Sequence, residues 1–180
     1  MLKLDIPAME FFNEQTYEFV QVKPTVLTLE HSLLSISKWE SKWKKPYISS
    51  DAKTVEETVD YIRCMTLDKN VDPTVYDRLT TAHLSQINEY INDPMTATTI
   101  KEPNHKGNNG RFVTSELVYA WMFDLRIPKE CEKWHFNRLI TLIKVMDNER
   151  QPKKKMGRND IYRRNAELNA ARRAKLGTKG

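Results

Sequence analysis

The sequence predicts an α+β fold in which helices dominate, and three observations predict it. Apolar and polar residues alternate through the first thirty positions. From Ser32 the apolar spacing lengthens to that of a helix. The last thirty positions hold strong helix formers with few apolar residues to bury. The expected order is a small N-terminal antiparallel β element, about five helices, and a C-terminal basic helix. The expected division is a globular body over 1–150, with its β element over 1–30 and its helices over 32–149, and a basic arm over 151–180.

Each element has its own signal. "LKLDI", "YEFVQV" and "TVLTLEH" alternate as half-buried strands do, with "PAMEFFNEQ" and "KP" as the breaks between them. Alternation implies one face in water and one covered by helices. In "SLLSISKWESKW", Leu33, Leu34, Ile36, Trp39 and Trp43 recur at helical spacing, and Pro46 closes the segment. In "TVEETVDYIRCM", Thr54 and Glu57 stand at capping-box spacing, while Val55, Val59, Ile62 and Met65 form a stripe. "DPTVYDRL" offers Asp72 as N-cap and Pro73 at the first helical position. Leu84, Ile87 and Ile91 line a helix over Thr81–Ile91, stopped by "NDP". Residues 100–112 hold two glycines, three asparagines and a proline without apolar periodicity, so they read as a solvated loop. "TSELVYAWMFDL" is apolar on nearly every side and is expected to be buried centrally. "HFNRLITLIKVM" sets Phe136, Leu139, Ile140, Ile143 and Met146 on one face. After the break at "NERQPKKKMGRND", a helix over 160–176 is expected, with Asn159 as its N-cap.

Composition bounds the function. No apolar run approaches the ~20 residues that span a bilayer, and the acidic N-terminal "MLKLDIPAMEFF" lacks the apolar core of a secretion signal. Cys64 and Cys131 are too few and too far apart for a disulfide framework, and read as buried, reduced thiols. The net charge of +5 is unevenly placed: residues 151–180 hold ten Lys/Arg against Asp160 and Glu167, or +8, while the rest carries −3. This is a mildly acidic body with a basic arm.

Candidate chemical motifs mostly dissolve. "DKNVD" opens like a calcium loop, but Pro73 and Leu79 stand where glycine and glutamate are needed, leaving a turn before a helix. Cys131 and His135 have helical ligand spacing but no second pair, so they read as a buried thiol and a half-exposed imidazole; no metal or cofactor is expected. Nor does a glycine-rich oxyanion turn support a thiolate nucleophile. "HKGNNG" lacks the strand–helix frame of a phosphate loop. Trp39, Trp121 and Trp134 read as core, and Trp43 as a helix-end anchor. The arm admits three readings beyond a solvated helix. Nucleic-acid binding has the cations but only Tyr162 for stacking. Membrane binding has too narrow an apolar stripe in Ile161, Leu168 and Leu176. Docking on a partner protein uses every feature, with Arg163, Arg164, Arg172 and Arg173 as charge contacts and Leu168 and Ala171 as the packed side.

Four blocks, "LEHSLLSISKWESKW", "YIRCMT", "TSELVYAWMFDLRIPKECEKWHFNRLITLI" and "LNAARRAKLGTKG", resemble in order a family of small proteins from long-tailed bacteriophages, the tail assembly chaperones and associated tail-morphogenesis proteins. The resemblance runs from about Leu29 to the C-terminus. It implies a role without catalysis in the infected host's cytoplasm. There the chain would bind the long helical tape measure protein and keep it soluble while tail tube subunits polymerise around it. The tail tube protein and a second copy of the chain are further expected contacts. The family brings no catalytic residues. A nucleic-acid-associated phage protein, using the arm on DNA or RNA, is the alternative expectation.

Overall fold

The computed structural model describes residues 1–13, 17–49, 53–100, 112–150 and 157–177. The chain forms two compact units, Met1–Asn148 and Glu149–Gly180, and helices dominate both.

The first unit opens with four strands, β1 (Leu2–Ile6), β2 (Met9–Asn13), β3 (Glu18–Val22) and β4 (Thr25–Leu29). β1 pairs antiparallel with β4 from Leu2↔Leu29 to Ile6↔Thr25, and β2 with β3 from Met9↔Val22 to Asn13↔Glu18. In every pair the two residue numbers add to 31, so both ladders are one long hairpin in a single register. The same register sets Pro7 opposite Pro24, where two ladder donors are missing and the pairing breaks. Arg78 braces that break: its Nη1 donates to the Pro7 carbonyl at 3.0 Å and to the Lys23 carbonyl at 3.4 Å. β2 lies within the stretch expected to be a mere break, because the hairpin register carries through it. The proximal half faces the core, where Leu4, Ile6, Leu27 and Leu29 are buried.

Six helices complete the unit: α1 (Leu33–Trp43), α2 (Val55–Met65), α3 (Thr74–Asp77), α4 (Thr81–Asn92), α5 (Ser115–Asp124) and α6 (Phe136–Arg150), with a 3-10 turn at Lys129–Lys133. Local chemistry fixes their ends. Ser32 accepts from the Ser35 N–H at 3.2 Å while Ser35 Oγ accepts from the Ser32 N–H at 3.0 Å. Thr54 and Glu57 form the reciprocal box expected of their spacing, at 3.2 and 2.9 Å. α1 stops before Pro46, at Lys44, which takes the left-handed conformation with φ 55°. α3 is a single turn whose N-cap is Pro73 and not the expected Asp72; Asp72 stands one residue further out, where its Oδ1 accepts from the Thr74 N–H at 2.9 Å.

The core departs from the expected stripes in three places. Val55 is 80% exposed, while Ile62 and Met65 of the expected stripe are buried and Tyr61, outside it, is buried with them. The N-cap of α2 is out at the surface, so the first position of that helix has no core to reach. α5 is not enclosed: Val118 and Met122 are buried, whereas Phe123 is 70% exposed. One side of α5 meets α1, and the other faces outward. Trp39 is fully buried, with Nε1 donating to the Glu57 carbonyl at 2.9 Å, but Trp121 is only half-buried and Trp134 lies at the surface under Arg138.

The second unit carries α7 (Arg158–Leu176). It starts after Gly157, two residues ahead of the expected Asn159 cap, and no side chain caps it. Gly177, at φ 65°, ends it in the left-handed conformation that glycine adopts without strain.

Candidate functional site

Three arrangements stand out: a buried polar cluster, a groove on the first unit, and the surface of α7.

The cluster forms where β4 turns into α1. His31 Nδ1 shares a hydrogen bond with Tyr61 Oη from α2, and Tyr90 Oη from α4 donates to Glu30 Oε1 at 2.8 Å. His135, just before α6, donates from Nε2 to the Tyr90 carbonyl at 3.0 Å, which leaves its buried Nδ1 without a partner. The two imidazole rings lie 5.2 Å apart, tilted 67°. The backbone closes the cluster, with Phe136 N–H donating to the His31 carbonyl at 2.7 Å. Burial, with His135 adding to it, pushes His31 down to about 3. Burial also lowers His135, against the pull of the Tyr90 carbonyl. Burial drives Tyr61 and Tyr47 upward. At neutral pH the imidazoles and phenols are uncharged, and the His31–Tyr61, His135–Tyr90 and Phe136–His31 hydrogen bonds tie four elements together. His135, expected half-exposed, is buried because the Tyr90 carbonyl holds it inward. Cys131 is buried as expected but sits on the 3-10 turn, not on a helix shared with His135, and Cys64 is half-buried. Among the described residues no three His, Cys, Asp or Glu converge as a metal site.

A second buried charge orders the approach to α5. Glu40, at the end of α1, accepts from the Tyr47 N–H and from the Ser115 N–H, both at 2.7 Å. One of its oxygens thereby meets an open N–H at the N-terminus of α5, where negative charge is favoured. It fixes where α5 begins; residues 101–111, with the "HKGNNG" motif, lie outside the described residues.

With α5 so placed, a groove of about 390 Å³ opens between it and α6. Trp121, Asp124 and Leu125 line one wall, and Ile140, Ile143, Lys144 and Asp147 the other. Leu125 and Ile143 are buried at the floor, Trp121 and Ile140 are half-buried, and the charged residues are at the rim. Sequence reasoning missed this groove. The signal was present: a helix apolar all round on a 148-residue unit either sits at the centre or leaves apolar surface uncovered, and α5 does the second.

α7 carries the residues expected to bind a partner. Arg163, Arg164, Leu168, Ala171, Arg172 and Arg173 are all exposed, as is every side chain described on this helix. Helical spacing brings some together: Arg164, Ala171 and Arg172 stand four before, three after and four after Leu168, on its side of the helix. Arg163 points elsewhere and meets Glu167 at 3.8 Å, while Arg173 lies off the Leu168 side. Leu168 is 46% exposed and Ile161 45%, two turns apart.

Compared with known protein families, with curated proteins and with solved structures, the chain matches none of them.

Proposed function

We propose that the chain is a holding protein of bacteriophage tail assembly, which binds the tape measure protein in the host cytoplasm and keeps it soluble until tail tube subunits enclose it. The reading rests on the resemblance of its four sequence blocks to the tail assembly chaperones. The single structural observation that supports it is α7: nineteen helical residues, strongly basic, with no side chain covered among those described. Helices in proteins draw most of their stability from packing an apolar face, and the described side chains of α7 pack none. A helix that buries nothing on its own gains most from a partner laid along it. Arginines on the Leu168 side suit carboxylates of an amphipathic helical partner. Because such contacts are exposed and screened, they hold weakly enough for tube subunits to displace the protein.

Co-expression tests the reading. The soluble fraction of the tape measure protein should rise with the full chain and fall back when 158–176 is deleted. Unchanged solubility with both forms would sink it.

A second reading draws on the same cations: binding of DNA or RNA through α7. Only Tyr162 is aromatic there, and it is 64% exposed. Electrostatic binding of this kind should fade between low and physiological salt in a gel shift. Retention at physiological salt would favour the nucleic-acid reading over the chaperone one.

A further inference from the structure

We propose that the groove between α5 and α6 is a docking site for one helix of a partner protein, a helix with an apolar stripe flanked by lysine or arginine. This deepens the tape measure reading and rests on it for the partner's identity alone.

The geometry asks for a helix. On α5 the lining residues stand at i, i+3 and i+4, and on α6 at i, i+3, i+4 and i+7. Each helix thus turns one continuous stripe toward the same trough. Two neighbouring helices with such stripes form the seat that a third helix fills in ordinary helix packing. From Ile140 to Asp147 the trough runs two turns, roughly 10 Å at the α-helical rise. That length accepts side chains at i, i+3, i+4 and i+7 of the incoming helix.

The lining fixes the chemistry. Leu125 and Ile143 make an apolar floor, Trp121 and Ile140 flank it half-exposed, and an aromatic wall of this kind is a frequent anchor at interfaces. The rim carries Asp124 and Asp147 against Lys144. All three already take part in polar interactions, so the choice of partner comes from the net sign of the rim and not from an idle carboxylate. That sign is negative, on a body whose own net charge is −3. An acidic helix would be repelled and a basic one steered in.

The arm of a second copy is basic too, but it does not fit. Its Ile161, Leu168 and Leu176 stand seven and eight apart, with Arg164, Asn165 and Arg172 at the near positions between them, so it offers isolated contacts instead of a continuous stripe. Groove and arm therefore select opposite charge. A partner served by both presents a basic apolar segment and an acidic one.

The test uses the full chain and fluorescence anisotropy with labelled 18-residue helical peptides. One carries a leucine stripe flanked by lysines, and its control carries serines in place of the leucines. The leucine peptide should bind at least tenfold more tightly. In Asp124→Lys/Asp147→Lys, whose substitutions are at the surface, its affinity should fall at least tenfold with no change in melting temperature. The arm repels a lysine peptide equally in both proteins, so the comparison isolates the groove. Equal binding of the two peptides, or no loss in the double variant, overturns the proposal. So does sedimentation showing that the wild-type chain self-associates and the double variant does not, since the groove would then belong to a second copy. Failure of the tape measure reading shows separately: co-expression leaves solubility unchanged while the leucine peptide still binds.

Discussion

The junction of β4 with α1 and the helix α7 are opposite solutions to the same problem. At the junction, Leu29, Leu33, Ile36 and Trp39 are all but inaccessible, and His31, Tyr61, Tyr90 and His135 are bound to one another in the space between. On α7 no described side chain is covered, and the helix rests on the propensity of its alanines, arginines and leucines alone. The first region is held by what it packs against. The second is held by local bias and is left available. The difference teaches where a substitution should be felt as stability and where it should be felt only in binding.

The widest gap between the two regions should appear on truncating one residue in each. Trp39→Ala removes a fully buried indole and its hydrogen bond to the Glu57 carbonyl, and should cost about 3–5 kcal/mol of unfolding free energy. Leu168→Ala on α7 should change it by less than about 0.5 kcal/mol, as for an exposed position. Urea unfolding of both variants reads the contrast. Comparable losses would mean that α7 is structurally integral to the fold.

Acid sharpens the comparison. The fold holds His31 near 3, below its ordinary value of 6.5, so folding favours the neutral ring. That contribution is complete above about pH 6.5 and drains as pH falls toward 3. Between pH 6.5 and 5, before carboxylates protonate, His31 alone should cost about 2 kcal/mol. His135 is lowered as well and adds in the same direction. His31→Gln keeps a hydrogen-bonding side chain but does not titrate, so its stability should change far less between pH 7 and pH 5 than that of wild type. Parallel pH profiles for the two proteins would refute the assignment. α7 holds no histidine, and the far-ultraviolet signal of an isolated 158–176 peptide should be flat over the same range.

A smaller effect is expected at Glu40, whose carboxylate takes the Tyr47 and Ser115 N–H groups. Glu40→Gln keeps the shape but removes the charge, and leaves one of the two N–H groups facing an amide that can itself donate. A loss of about 1–3 kcal/mol follows from the usual cost of a buried charged hydrogen bond. Because Glu40 seats the start of α5, the variant should also weaken peptide binding at the α5–α6 groove. Normal stability together with normal binding would show that α5 is positioned by its apolar contacts alone.

How far the sequence could be read depends on the same division. Periodicity placed α1, α2, α4 and α6 to within a few residues, and at α2 the Thr54–Glu57 spacing placed the start itself, since a cap acts within a few positions of the helix it opens. The basic helix was legible for the same reason, its propensity being local. What escaped was set by distant partners. β2 depends on a register shared with β3 across the hairpin tip, and no short window reveals it. The cluster joins His31 to Tyr61 and Tyr90 to Glu30, residues thirty and sixty positions apart. The groove depends on which side of α5 meets α1, which a helix apolar all round does not disclose. As for the arm residues proposed to bind a partner, their exposure followed from composition, whereas the split that puts Arg164 and Arg172 beside Leu168 but turns Arg163 toward Glu167 needed the helix itself.

The smallest effect tests whether α7 stands by propensity alone. Ala170 lies mid-helix with an exposed side chain, so Ala170→Gly removes no packing and adds only backbone freedom. The cost to that helix should be about 1 kcal/mol, enough to fray a 19-residue segment whose described side chains gain nothing from packing. Circular dichroism should lose helical signal while the melting temperature of the body stays where it was. Ala170→Ser, intermediate in propensity, should fall between the two. If glycine at this position lowers the melting temperature of the whole protein, α7 owes its form to tertiary contact. The contrast with the β4–α1 junction would then fail at its weaker end.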